Sequence, residues 1–394
     1  MRLRPGSAVP VARGRRRRIA GWLSAAVAVA AVGFGLYVAG PAAAAPSQWL
    51  QVSAGPTHTC GIKADNTLWC WGANDFGQLG TGDNTARTVP ARVGSNAGWT
   101  SVSAGDGFTC GVQSGYRYCW GANAVGQLGL GDYTDRNAPR RNTGESNNWA
   151  TVTAGTGHVC GLRTSGLAQC WGLNSFGQLG LNDTTNRNLP RTVSGGHTWS
   201  VISAGAFHTC GLDTDGVRFC WGANHHYELG LPGDQEQRLV PTSHGNEGTW
   251  QSIDAGDRTS CGVSSGRRVY CWGQNTYGHA GSGNTLPQDE PVQVMTSAAA
   301  VSSGGLHACL VRTNGNLYCW GGNEAGRLGD GTTTNRYTPV SVSSQAPLWS
   351  SVSAGSGHTC GIRVDGTLYC WGYNATGQLG DGTQTPRLTP VLVA

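Results

Sequence analysis

The sequence predicts an all-β chain, a seven-bladed β-propeller built from repeats of about 50 residues and preceded by an N-terminal hydrophobic helix. Three observations carry that expectation. First, the fourteen cysteines fall into seven pairs: Cys60 with Cys70, Cys110 with Cys119, Cys160 with Cys170, Cys210 with Cys220, Cys261 with Cys271, Cys309 with Cys319, and Cys360 with Cys370. Successive first cysteines are 50, 50, 50, 51, 48 and 51 residues apart, and a fixed period of this size marks a repeat array. Second, Gly accounts for 63 of 394 residues and Trp for 15, with no Gly-X-Y period, which is the composition of short strands and tight turns. Third, each repeat reads as four strands, and four-stranded units arrayed in a closed ring leave only short, protected sheet edges.

Residues 1–45 come first. They hold seven arginines (Arg2, Arg4, Arg13, Arg15, Arg16, Arg17, Arg18) and no acid, then an apolar run at residues 19–39 and an alanine run at residues 42–45. Basic segment, apolar segment and small-residue cleavage site are the parts of an export signal. Cleavage is expected after Ala44. The apolar run is also long enough to span a bilayer as a helix, so an uncleaved anchor is the alternative, and the positive-inside tendency puts the body outside in both cases. Without the leader, residues 46–394 carry 20 basic against 22 acidic side chains. A body this close to neutral lacks the basic stripe of a nucleic-acid binder.

Within the repeat, WLQVSAG is the first strand and HTCGI the second. Asp65-Asn66, with Asp215-Gly216, Asn314-Gly315 and Asp365-Gly366 elsewhere, marks a hairpin turn because these residues accept positive φ. TLWCWG is the third strand, GANDFGQLGTGD a Gly-rich loop, and PARV the fourth strand, with Pro expected at its start, where no ladder donor is lost. Trp-Gly follows every second Cys, and Asn stands three residues after each of those tryptophans. A Pro comes near each repeat end, with Arg three before it in six repeats. The last strand, residues 389–393, and the first, residues 49–53, are expected to meet and close the ring.

The recurring pattern A-G-x-x-H-T-C-G-L, then G-x-L-Y-C-W-G-x-N-x-x-G-Q-L-G-x-G, then R-x-x-P, resembles the regulator of chromosome condensation repeat. The resemblance covers essentially all of residues 47–394 and is weakest in the fifth repeat, where His279-Ala280 replaces Gln-Leu. It implies a seven-bladed propeller. The C…CWG form is similar to exported bacterial members described as alpha-tubulin-suppressor-like.

The paired cysteines flank a hairpin turn symmetrically, so antiparallel pairing sets them face to face within reach of a disulfide. Seven intra-repeat disulfides are the favoured reading for an exported chain. Buried free thiols are the bland alternative. A zinc site is the other, and it lacks the close C-x2-4-C spacing that zinc sites use. Each bridge would close a loop of about eleven residues and contribute roughly 2–3 kcal/mol in the chain-entropy treatment.

Five repeats place His two before the first Cys: His58, His158, His208, His307 and His358, interrupted by Phe108 and Thr259. They are read as structural, each donating to a neighbouring backbone carbonyl, and no metal site is expected. Asp83, Asp132, Asp183 and Asp234 are expected to pair with the recurrent arginines. The fourth repeat departs most from its siblings. His225, His226, Tyr227, Glu228, Asp234 and Glu236 replace the usual loop, and Arg258 of the next repeat could extend the same patch, giving a candidate binding loop.

No G-x-S-x-G, H-E-x-x-H or P-loop occurs, and Lys63 is the only lysine. No catalytic residue and no cofactor is assigned. The expected function is an exported, non-enzymatic, monomeric scaffold that is secreted or held at the cell surface and binds a protein or cell-envelope ligand. It would touch the membrane only through an uncleaved leader. Rival readings are an extracellular hydrolase or lyase, and an inhibitor of an extracellular enzyme such as a β-lactamase. Guanine-nucleotide exchange, which the family resemblance also suggests, conflicts with the leader and the non-basic body.

Overall fold

The computed structural model describes residues 48–243, 248–344 and 348–394. The expected leader, with its hydrophobic helix, lies outside the described residues. Each repeat folds into its own antiparallel sheet with strands in chain order. In blade 1 these are β1 (Trp49–Ala54), β2 (His58–Lys63), β3 (Leu68–Gly72) and β4 (Arg87–Arg92). Blades 2 to 7 occupy residues 99–140, 149–192, 199–242, 250–296, 298–341 and 349–392.

At the blade 1 hairpin, Asn66 takes φ 60° and the Asp65 carboxylate accepts from the Thr67 amide at 3.0 Å. That register sets Cys60 opposite Cys70. The same register sets Cys110 opposite Cys119, Cys160 opposite Cys170 and Cys210 opposite Cys220. It also sets Cys261 opposite Cys271, Cys309 opposite Cys319 and Cys360 opposite Cys370. All seven pairs are disulfides, as the symmetric flanking of the turn predicts, and every cysteine is buried.

Pro90 corrects one expectation, because it sits inside β4 rather than at its start. The β3–β4 register shifts between Cys70↔Ala91 and Gly72↔Arg87, and Pro90 lies in that bulge, where a missing N–H breaks no ladder bond.

The first strands line the axis. Strand direction then sorts the connections. The β1–β2 turns and the long β3–β4 loops open on one face, here the loop face. The β2–β3 hairpins and the connectors between blades open on the other.

The apolar cores sit at the joints between blades. One cluster takes Cys60, Ile62, Leu68, Cys70, Leu79 and Val93 from blade 1, with Trp99, Val102 and Trp120 from blade 2. Trp71 therefore packs into the core of the preceding blade, against Cys360 and Leu379, and not into its own. Its indole N–H donates to the Gln378 carbonyl at 2.9 Å. The same bond recurs at all seven joints, with Gln78, Gln127, Gln178, Glu228, His279 and Arg327 as the other acceptors. Gly80 has φ +70°, and a Cβ there would stand 2.6 Å from the Trp120 nitrogen, so the last Gly of Gly-Gln-Leu-Gly makes room for the neighbour's indole.

A second set of bonds runs nearer the axis. The Ser53 hydroxyl accepts from the Ala104 amide at 3.0 Å, Ser103 from Ala154, Thr153 from Ala204, Ser203 from Ala255, Ser302 from Ala354 and Ser353 from Ala54. In blade 5 a carboxylate takes the hydroxyl's place, and Asp254 accepts from the Ser303 amide at 2.8 Å.

The histidines form a third set, and they correct the expectation of a backbone acceptor. His58 Nε2 lies 2.8 Å from the Thr109 hydroxyl of the next blade. Thr109 gives its single proton to the Gln78 carbonyl at 2.8 Å, so His58 must donate from Nε2. Its buried Nδ1 has no partner. The same pairing joins His158 to Thr209, His208 to Ser260, His307 to Thr359 and His358 to Thr59. Burial pushes His58 down to about 4, and His158, His208 and His358 to about 3, so the rings stay neutral.

The two chain ends share one buried cluster through Trp49, Val52 and Val393, but no ladder joins residues 389–393 to residues 49–53. Each end completes its own blade. The ring closes through side-chain bonds, His358 to Thr59, Trp71 to Gln378 and the Ala54 amide to Ser353, and through backbone bonds from the Trp49 amide to the Gly366 carbonyl and the Gly382 amide to the Thr88 carbonyl.

Candidate functional site on the loop face

The β3–β4 loop has a common frame. In blade 1 the Asn74 side chain accepts from the Leu79 amide and donates to the Asp83 carbonyl, both at 2.9 Å. Gln78 Oε1 accepts from the Phe76 amide at 3.0 Å, and Asp83 pairs with Arg87 at 2.7 Å. The same Asp–Arg pair forms within blades 2, 3 and 4.

Blade 4 keeps this frame with altered residues. Asn224 holds the Leu229 amide and the Asp234 carbonyl, and buried Glu228 replaces Gln in accepting from the His226 amide at 2.8 Å. Tyr227 adopts φ 66° where blade 1 has Gly77 at φ 79°. Asp234 pairs with Arg238. Tyr227, Glu228 and Asp234 therefore shape the loop, and exposed Glu236 stands 3.7 Å from Arg238. The other three predicted residues face two different neighbours. The His225 ring meets Phe176 of blade 3 edge-on at 5.6 Å, and His226 Nε2 lies 3.3 Å from the Arg258 guanidinium of blade 5.

Sequence reasoning missed two features of this face. One is an axial cavity of about 90 Å³, walled by the Ala-Gly ends of the first strands and the turns that follow. Among the described residues, the ionisable ones that line it are Asp106 and Asp257. Burial pushes both carboxyls up; Asp106 pushes Asp257 further, and Arg258 pulls it back. Asp254, three residues earlier, is pushed up to about 6 by burial, against bonds from the Ser303 amide and the Ser203 hydroxyl. Two carboxyls at so narrow a mouth can hold a cation or a proton. Among the described residues no group of three or more His, Cys, Asp or Glu is placed to hold a metal ion.

The other feature is the residue before the loop glycine. Across the repeats it is Phe76, Val125, Phe176, His226, Tyr277, Ala325 and Thr376. Phe76 is 48% exposed and Tyr277 42%. The signal was available to a column-by-column comparison of the repeats.

The profile of the RCC1-like domain matches residues 31–350, and profiles of the regulator of chromosome condensation (RCC1) repeat match residues 349–378 and 365–394. The chain belongs to the RCC1 repeat family. It is 31% identical over 368 residues to the ultraviolet-B receptor UVR8 of Arabidopsis thaliana, spanning 89% of this chain and 71% of that protein. Human WBSCR16 superposes with a TM-score of 0.74 at 20% identity, over 83% of this chain and 94% of that one. Yeast RCC1 (Prp20), solved bound to Kap60, gives 0.73 at 20% identity, over 87% and 85%. These two structures share the RCC1 fold. In this RCC1 propeller the family's Gly-Gln-Leu-Gly is a joint socket, and the exposed residues that separate blade from blade include those of the loop face.

Proposed function

We propose that this protein is an exported, disulfide-stapled scaffold that binds a protein or cell-envelope ligand on its loop face and catalyses no reaction. The observation that carries this reading is the division of labour among side chains. The recurrent His, Thr, Trp, Asn, Arg and Asp residues are engaged in joints and loop frames. The divergent ones, His225, His226 and Arg258 among them, stand on the loops of a rigid ring, where binding residues concentrate. Seven disulfides fit an oxidising compartment and so support export. Yeast RCC1, which shares the fold, is bound to Kap60 in its crystal structure, and a protein partner is in keeping with that precedent.

The test uses the intact oxidised protein as bait in the culture supernatant of its own source, with elution, identification and titration of whatever is retained. A saturable partner is expected. A bait that retains nothing, yet turns over members of a glycan or ester panel, would replace the scaffold with an extracellular hydrolase or lyase.

A further inference from the structure

Ala325 and Thr376 show what the fold itself asks of the residue before the loop glycine. Ala325 has nothing beyond Cβ, and Thr376 donates its hydroxyl to the Thr57 carbonyl at 2.8 Å. Neither needs a ring. Blades 1, 3 and 5 nevertheless carry Phe76, Phe176 and Tyr277 there. The Phe76 and Phe176 rings lean over the neighbouring blade's β1–β2 turn. Phe76 lies 3.0 Å from where a Cβ on Gly107 would stand, and Phe176 meets Phe207 edge-on at 5.6 Å. The result is a set of aromatic rings on alternate blades around the axis, with Phe76 and Tyr277 exposed and Phe176 partly covered, and exposed apolar surface on one face is a feature of interaction sites. Aromatic residues are enriched where proteins dock.

These rings stand around the mouth that holds Asp106 and Asp257. The Asp257 carboxylate lies 2.9 Å from where a Cβ on Gly305 would stand. Arg258 does not line the cavity, and its guanidinium is turned to His226 at the outer rim. The cavity, about 90 Å³, is smaller than the ~150 Å³ apolar hole that admits benzene. A sugar ring does not enter it, whereas the head of a lysine or arginine does. The alkyl stem of such a residue packs on apolar surface while its charged head reaches the carboxyls.

We infer that the loop face docks a protein loop whose tip is a lysine or arginine between apolar residues. The basic group enters the axial cavity beside Asp106 and Asp257, and the flanks lie on Phe76, Phe176 and Tyr277. Charge complementarity selects this occupant over a neutral glycan, which would find rings to stack on but no use for two carboxyls in a hole too narrow for it. The inference rests on the scaffold reading and gives it a face and a partner chemistry.

The test pans short disulfide-cyclised loops, displayed on phage, against the intact oxidised protein. Enriched loops are expected to carry Lys or Arg between apolar residues. Calorimetry on one synthetic enriched loop should show affinity falling by about tenfold or more when norleucine replaces the basic residue. The same loss is expected with the protein carrying Asp106→Asn and Asp257→Asn, and with the protein carrying Phe176→Ala and Tyr277→Thr. Ala and Thr already fill that position in blades 6 and 7, so the second protein keeps its fold, checked by its melting temperature. No enrichment, enriched loops without a basic residue, or undiminished affinity in both variant proteins would each overturn the inference. A supernatant partner that binds both variants as tightly as the parent would leave the scaffold reading standing and sink this one alone.

Discussion

The joint between blades 1 and 2 and the joint between blades 2 and 3 are built to one plan with different chemistry. In the first, His58 donates to Thr109, which donates to the Gln78 carbonyl. In the second, Phe108 and Val159 stand at the equivalent places, both fully buried. The joint between blades 5 and 6 follows the second plan. It places Thr259 and Ala308 there, and Thr259 turns its hydroxyl to the Gln274 carbonyl of its own blade. Wherever the His is lost, its hydroxyl partner 49–52 residues on is lost too. The joint thus selects a pair and not a residue. A buried donor without its acceptor costs far more than a matched apolar pair.

Acid should break this comparison most strongly. An unfolded histidine takes its proton near pH 6.5. In the joints, His58 holds off to about 4, and His158, His208 and His358 to about 3. His307 is also well below its ordinary value. Between those limits the unfolded chain binds more protons, so the stabilisation is fully present above pH 6.5 and is lost as pH falls. Each histidine contributes up to about 1.4 kcal/mol per pH unit in that window. Asp254, raised to about 6, works in the opposite sense and offsets about one of them. Urea unfolding from pH 7.5 to 4.5 should show a steep loss. A flat profile would mean the polar joints are not buried as described.

Next in size is Thr109→Val alone. It orphans the His58 N–H and removes one of two donors from the Gln78 carbonyl, and should cost about 2–3 kcal/mol in urea unfolding at neutral pH. The smallest expected effect is the most discriminating. His58→Phe combined with Thr109→Val copies the joint of Phe108 and Val159, and should return to within about 1 kcal/mol of the parent. It should also flatten the acid profile by one proton. A double variant as unstable as the sum of its parts would show that the joints are not interchangeable.

The contrast also explains what the sequence did and did not disclose. The seven disulfides, the hairpins and the four-strand blades were legible because each lies within one repeat, where Cys60 and Cys70 flank their turn on the same few residues. The joints were not, because each joins two columns of the repeat about 50 residues apart. Read alone, the His58 column looked like a run of histidines with two faults. Read against the Thr109 column, the faults are matched changes. The place of Trp71 was illegible for the same reason, since its acceptor, Gln378, is 307 residues away. On the loop face, the unusual composition of residues 225–236 drew attention to Glu228 and Asp234, which prove to be frame residues. Phe76 and Tyr277 passed as ordinary loop residues because nothing within their own repeats shows that their rings are optional.

The way the ring closes has a consequence for its topology. No strand is exchanged between the first and last blades, and the bonds between them are the ones found at other joints. The seam is therefore not a privileged place, and the backbone's point of entry is a convention of the gene. A circularly permuted chain, opened in the exposed connector between blades 3 and 4 and joined across the present ends by a short linker, would meet the same seven sockets with the same seven indoles.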